Sequence, residues 1–281
     1  MVKTYTLGLY EKSMPGYLSW RDKLSTAKKS GFDFLEMSID ETDEKLARLD
    51  MSKAERFELF KIMVDENIKI HTMCLSAHRK YPLGSSDLKT SHRSMEIMKK
   101  AIQLASDLGI RIIQLAGYDV YYEQSNEHTK RLFLENLEKA TLLASSEGII
   151  LGFETMETEF MNTVEKAMKY VNFISSPYLN VYPDSGNLKN ASVTYKTDLY
   201  EDIKSGKGHL VAVHLKETVP GKFREIPFGA GHVNFTDIIK TAWSLGVRKY
   251  VTEFWYTGND TWIEDLHNVN TMMTGIFDAL K

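Results

Sequence analysis

Apolar runs of seven to nine residues alternate along the chain with longer segments in which apolar residues recur every three or four positions. The runs are TYTLGLY from Thr4, FDFLEMS from Phe32, IKIHTMCLS from Ile68, IRIIQLA from Ile110, IILGFET from Ile149, YLNVYPD from Tyr178, HLVAVHLK from His209 and KYVTEFW from Lys249. The segments between them, such as 91–108 and 129–147, have helical periodicity, and several end in a glycine: Gly31, Gly109, Gly148 and Gly246. Short strands alternating with amphipathic helices predict a parallel sheet with crossover helices. Eight such units at about 35 residues each match an α/β fold of the (β/α)8 TIM-barrel kind. An open doubly wound sheet would carry a Gly-rich phosphate turn after its first strand, and GLYEKSMPG is not one. No linker or shift of composition divides the chain, so residues 1–281 read as one domain.

Strand parity then selects candidate site residues, because inward side chains at the C-terminal ends of barrel strands meet at one mouth. In IILGFET, Ile149, Leu151 and Phe153 suit the helix-facing side, which turns Ile150, Gly152 and Glu154 inward. In YLNVYPD, Asn180, Tyr182 and Asp184 oppose Leu179 and Val181. In HLVAVHLK, parity turns His209 toward the helices and His214 and Lys216 inward, and in KYVTEFW it turns Glu253 inward. Glu154, Asp184, His214 and Glu253 end four consecutive strands at intervals of 30, 30 and 39 residues, each close to one βα repeat. Three carboxylates in one polar mouth repel one another unless some are protonated or a cation lies among them. This oxygen and nitrogen set suits one divalent ion, Mn²⁺, Co²⁺, Mg²⁺ or Zn²⁺. Taken singly, each of the four is more readily a helix cap or a paired buried charge; their joint occurrence at four successive strand ends reverses that balance.

Composition narrows the function. The chain is 43% hydrophobic, yet no run approaches the roughly 20 apolar residues of a membrane span. With 35 Lys+Arg against 38 Asp+Glu, the net charge of -3 offers no general attraction to nucleic acid. The lone cysteine, Cys74, excludes a thiolate-rich metal site and an internal disulfide. The start, MVKTYTLGLYE, lacks the features of a signal peptide, which predicts a cytoplasmic protein.

A divalent ion between two glutamates can polarise a ketose carbonyl and stabilise an enediolate while the carboxylates move the α-proton. Proton return to the opposite face gives epimerisation; return to the neighbouring carbon gives an aldose. The strings GLYEK, GFDFLEMSIDETDEKLARLD, MCLSAHRKYPLGS, IRIIQLAGYDVYY, VYPDSGNL, GHLVAVHLKET and IPFGAGHVNF resemble the L-ribulose-5-phosphate (L-xylulose-5-phosphate) 3-epimerases of L-ascorbate catabolism, from first strand to last. The resemblance implies a xylose-isomerase-like barrel. It also implies an isomerase acting on a pentulose phosphate, and a homodimer. Its metal-ligand and acid/base roles fall on Glu154, Asp184, His214 and Glu253, with Glu154 and Glu253 as the acid/base pair. Asn187 stands where relatives place a histidine near substrate.

A phosphorylated substrate needs cations away from the metal. The candidates are Lys216 and the pair His78 and Arg79, with Lys12, Lys80, Lys222 and Arg224 in nearby loops; solvated surface charge explains any one basic loop residue as well. Glu36 and Gln114, inward on strands two and four, could bind sugar hydroxyls or orient the metal ligands. His71 should lie at the non-catalytic end. Trp20, Trp255, Tyr118 and Phe228 could wall the pocket, though apolar core is the commoner fate of such residues. PFGAGHVNF reads as a turn into the next helix, with Asn234 near its N-cap. The rival functions are aldose–ketose isomerisation of a sugar phosphate or dehydration of a cyclic polyol, a metal-dependent apurinic endonuclease on the same barrel, and a catalytically silent barrel that binds a sugar or a partner. The endonuclease would need more histidines at the mouth than His78 and His214.

Overall fold

The computed structural model describes residues 3–280. Eight strands form the sheet: β1 Thr6–Tyr10, β2 Phe34–Ser38, β3 Lys69–Leu75, β4 Ile112–Ala116, β5 Ile150–Glu154, β6 Leu179–Tyr182, β7 Val213–Leu215 and β8 Lys249–Thr252. All pair in parallel, in the order β6-β5-β4-β3-β2-β1-β8-β7. The two end strands meet through bridges Val181–Leu210 and Asp184–His214, so the sheet curls into a nearly closed barrel. Around it lie α1 Trp20–Lys29, α2 Asp43–Ala47, α3 Lys53–Asp65, α4 Leu88–Leu108, α5 Glu127–Ser146, α6 Val164–Ile174, α7 Ser185–Tyr195, α8 Leu199–Ser205, α9 Phe235–Ser244 and α10 Trp262–Asp278. The α4 helix begins three residues earlier than its periodicity suggests, because the Asp87 side chain caps the Thr90 N–H. Asn234 caps α9 through the Asp237 N–H, as the turn reading of its motif predicts.

Alternation divides the apolar residues into two layers. Leu7, Leu9, Leu151, Phe153, Leu179 and Val181 pack outward in the core shared with the helices. Tyr10, Phe34, Cys74, Ile112, Tyr182 and Val251 fill the barrel interior. A Cβ on Gly8 would lie 2.4 Å from the Phe34 ring, so the aromatic plug requires glycine at this position on the adjacent strand.

β7 departs from the regular strand that its sequence suggests. Leu210 and Val213 pack outward, whereas Val211 and Ala212 both join the interior cluster. This local irregularity leaves His214 facing inward but breaks the parity before it. His209 therefore does not simply face the helices: its Nδ1 lies 3.3 Å from Asn180 Oδ1 on the neighbouring strand. His71, near the start of β3, lies 3.3 Å from Lys249 Nζ, and burial with that neighbouring charge pushes its pKa down to about 4.

The C-terminal strand ends of the first two units are tied by Glu11, in the turn after β1. This carboxylate is fully buried and meets Lys23 Nζ of α1 at 3.1 Å, Lys45 Nζ of α2 at 2.6 Å and Arg48 Nη1 at 2.5 Å. It also accepts the Ser38 N–H at the end of β2. Burial alone would push the Glu11 pKa up, but Arg48, Lys23 and Lys45 outweigh it and hold the carboxyl well below its usual range. Glu11→Gln should cost about 3–5 kcal/mol in urea unfolding, because it leaves buried cations without their counter-charge. Since the folded pKa is depressed, the carboxylate's contribution should be complete above about pH 4.3. It should be lost as pH falls below that value, a slope that the Gln variant should lack.

Candidate active site

Four side chains converge at the C-terminal mouth. Glu154 ends β5. Asp184 follows β6 and caps α7, its Oδ1 accepting the Asn187 N–H at 2.7 Å. His214 is central in β7, and Glu253 directly follows β8, its N–H held by the Leu215 carbonyl. One ligand atom from each lies within 4.8 Å of the others, and all four residues are buried. His214 Nδ1 is 3.3 Å from Glu253 Oε2 and 3.6 Å from Glu154 Oε1. Asp184 Oδ2 is buried without a hydrogen-bond partner, and His214 Nδ1 and Glu253 Oε2 approach each other without a well-directed hydrogen bond, a costly state for polar atoms that a shared cation would relieve.

The electrostatics carry the same strain. Burial raises the Asp184 pKa far above the usual range against the pull of Lys216, and burial with the nearby Glu253 charge raises Glu154. Burial also opposes ionisation of Glu253, but Lys216 and His214 overcome it and hold that carboxyl low. For His214, burial disfavours the charged ring and the Glu36 and Glu253 carboxylates reverse the balance, raising the pKa. Lys216 Nζ lies 3.1 Å from Asp184 and 3.5 Å from Glu253. One ammonium cannot neutralise three carboxylates, and the O/N donor set fits a divalent ion such as Mn²⁺, Co²⁺, Mg²⁺ or Zn²⁺.

Behind His214 sits Glu36. Its Oε1 accepts from His214 Nε2 at 2.6 Å, and its Oε2 accepts from the Thr72 and Tyr182 hydroxyls at 2.7 and 3.0 Å. Both oxygens are engaged inside the barrel, so Glu36 orients the histidine and is not free to bind a sugar hydroxyl. Gln114 pairs in register with Cys74 and Gly152, below the level of Glu154, and both atoms of its amide are buried without a hydrogen-bond partner. His78 turns away as well. In the 3₁₀ turn after β3 it is buried, its Nε2 3.2 Å from the Ser94 carbonyl of α4, and burial pushes its pKa down to about 4. It packs the fold and is no phosphate ligand. Arg79, beside it in sequence, does line the cleft, as do Asn187 and Lys216.

Residues 24–269 match the model of the xylose isomerase-like TIM-barrel family. The L-ribulose-5-phosphate 3-epimerase UlaE of Escherichia coli (strain SMS-3-5 / SECEC) is 44% identical over 254 residues, covering 90% of this chain and 88% of that protein. The chain belongs to the xylose isomerase-like TIM-barrel family. Among solved structures of the same fold, the D-allulose 3-epimerase from Methylomonas sp. superposes with a TM-score of 0.79 at 15% identity, covering 98% of this chain and 99% of that one. An L-ribulose 3-epimerase superposes with a TM-score of 0.75 at 16% identity, covering 98% and 95%.

In this family member the cleft above the cluster is completed mostly by loop residues, which strand parity could not select because loops carry no alternation; Trp255, two beyond Glu253 and of the same parity, is the exception. Lys12 lines it while paired with Asp40, and Phe223, Arg224 and Trp255 form an outer wall. Glu157 also lines it, accepting from the Tyr118 hydroxyl at 2.6 Å, and Arg79 reaches that same hydroxyl at 3.4 Å. Of the four aromatics singled out from sequence, Trp255 lines the cleft and Tyr118 supports Arg79. Trp20 instead covers Arg48, and Phe228 stacks on Phe235. Glu36→Gln should weaken divalent-ion affinity about 10–100-fold in calorimetric titration of the chelator-treated protein. Unchanged affinity would show that His214 needs no support.

Proposed function

We propose that this chain is a metal-dependent 3-epimerase of a ketopentose 5-phosphate, interconverting L-xylulose 5-phosphate and L-ribulose 5-phosphate. The observation that carries this reading is the presence of two buried glutamates, Glu154 and Glu253, on well-separated strands within one four-residue cluster of ligand atoms. The extensive likeness to a protein named for that reaction supports it. Glu154, Asp184, His214 and Glu253 would hold the divalent ion, which when bound supplies polarisation of the ketose carbonyl and counter-charge for the enediolate. One glutamate takes the C3 proton as the C–H bond breaks, and the other delivers a proton to the opposite face, so C3 inverts without net change in atoms. Lys216 holds the Asp184 and Glu253 carboxylates in place. The Asn187 side-chain nitrogen is fixed on the Thr155 carbonyl, which leaves Oδ1 to accept a sugar hydroxyl. Lys12, Arg79 and Arg224 supply positive charge for the phosphate along the cleft.

Aldose–ketose isomerisation would use the same carboxylates but would take the proton from C1 instead of C3 and return it to C2. The endonuclease reading loses support because His78 faces α4, leaving His214 as the only one of those two histidines at the cluster. Among the described residues no helix is long and apolar enough to cross a membrane.

Turnover of L-ribulose 5-phosphate in deuterated water should place deuterium at C3 with inversion, followed by NMR; an aldose product would overturn the assignment. Glu154→Gln and Glu253→Gln should each lower kcat by about 10²–10⁴-fold while circular dichroism stays unchanged. Near-normal turnover in either variant would remove that residue from the acid/base pair.

A further inference from the structure

Glu217 directly follows Lys216 at the head of the loop joining β7 to α9, and it is 2% exposed. Backbone N–H groups from both ends of this loop converge on its carboxylate. Oε1 accepts from Thr218 at 3.0 Å and from Val233 at 3.1 Å, and Oε2 accepts from Gly229 at 3.0 Å. Gly231 closes over it so tightly that a Cβ there would lie 2.3 Å from Glu217 Oε1 and 2.2 Å from the Thr218 carbonyl. Thr218 adds a hydroxyl bond to the Gly186 carbonyl of α7, and the His232 N–H returns to the Thr218 carbonyl at 3.0 Å.

Beyond this base the loop projects outward. Val219 and Lys222 exchange backbone hydrogen bonds around Gly221, and the following Phe223 and Arg224 form part of the cleft wall. Arg224 lies over the Trp255 ring at 5.6 Å, while Lys222, Arg224 and Glu225 are exposed. A carboxylate that gathers amide donors from both strands of a loop makes stronger bonds than a neutral acceptor would. A glutamine in its place offers one oxygen, and its amide nitrogen opposes an N–H.

We infer that Glu217 is a positioning residue for the reaction: by binding both ends of the β7–α9 loop it fixes Phe223 and Arg224 over the cleft and thereby sets substrate affinity. The inference rests on the proposed epimerase reading for its substrate. Its mechanical part, that Glu217 fixes the loop, does not.

Glu217→Gln and Gly231→Ala, which pushes on the same carboxylate, can be compared with the parent protein in three measurements. The KM for L-ribulose 5-phosphate should rise about 10–100-fold, the loss expected from breaking hydrogen bonds to a charged group, with kcat within about twofold. Divalent-ion affinity should be unchanged. Trypsin should cut after Lys222 or Arg224 faster in both variants. Should either variant fail to fold, the other supplies the same readouts. Unchanged KM together with unchanged cleavage rate, or a fall in kcat at constant KM, would overturn the inference. If the parent protein fails to turn over the pentulose phosphate, the epimerase reading falls. Faster cleavage in the variants would then still establish Glu217 as the loop anchor, and an unchanged rate would remove it.

Discussion

Three carboxylates buried within one cluster, with a single imidazole and a single ammonium between them, set the terms for the rest of this structure. Water would screen their repulsion, but the barrel mouth admits little of it to these groups. Protonation is one response, visible in the upward shifts of Asp184 and Glu154; cation binding is the other. The surroundings favour the second. Glu36 holds the far nitrogen of His214 and so directs Nδ1 toward the carboxylates, and the Asn187 N–H fixes one Asp184 oxygen while leaving the other free. These supporting bonds prearrange the donors, reducing the reorganisation required when an ion arrives.

A parallel barrel is well suited to bearing such a load. Each donor is attached to a strand end that is bonded to its neighbours on both sides, so mutual repulsion is resisted by the ladder and not by a mobile loop. Below the mouth the interior is filled by Phe34, Tyr182 and Val251, and Gly8 yields its side-chain volume to the Phe34 ring. Glu11 performs a corresponding task at the first two loops, where one carboxylate collects cations from two helices and from Arg48. Glu217 binds the two ends of the β7–α9 loop in a similar way, through backbone amides.

What sequence reveals follows from where the chain is periodic. β5, β6 and β8 are regular, so parity places Glu154 and Glu253 correctly, and Asp184 retains its orientation beyond Pro183 because it caps α7. In the run leading into β7 the alternation fails at Val211 and Ala212, while His209 lies beside Asn180 and His214 still faces inward. Glu36 is correctly read as inward, but its role depends on a contact with His214 178 residues away that spacing does not encode. His78 and Arg79 are adjacent in a 3₁₀ turn and point to different surroundings, one to α4 and one to the cleft. Lys12, Glu157 and Arg224 lie in loops, where nothing in the local pattern distinguishes a cleft residue from a solvated one.

The central claim is that Glu154, Asp184, His214 and Glu253 jointly hold one divalent ion. Crystals soaked in Mn²⁺ and measured for anomalous scattering test it most directly. A single strong peak should lie within about 2.0–2.6 Å of one atom from each of the four residues, the range for oxygen and nitrogen ligands to divalent ions. No peak between them, or an ion bound elsewhere while Lys216 keeps its contacts with Asp184 and Glu253, would contradict the account.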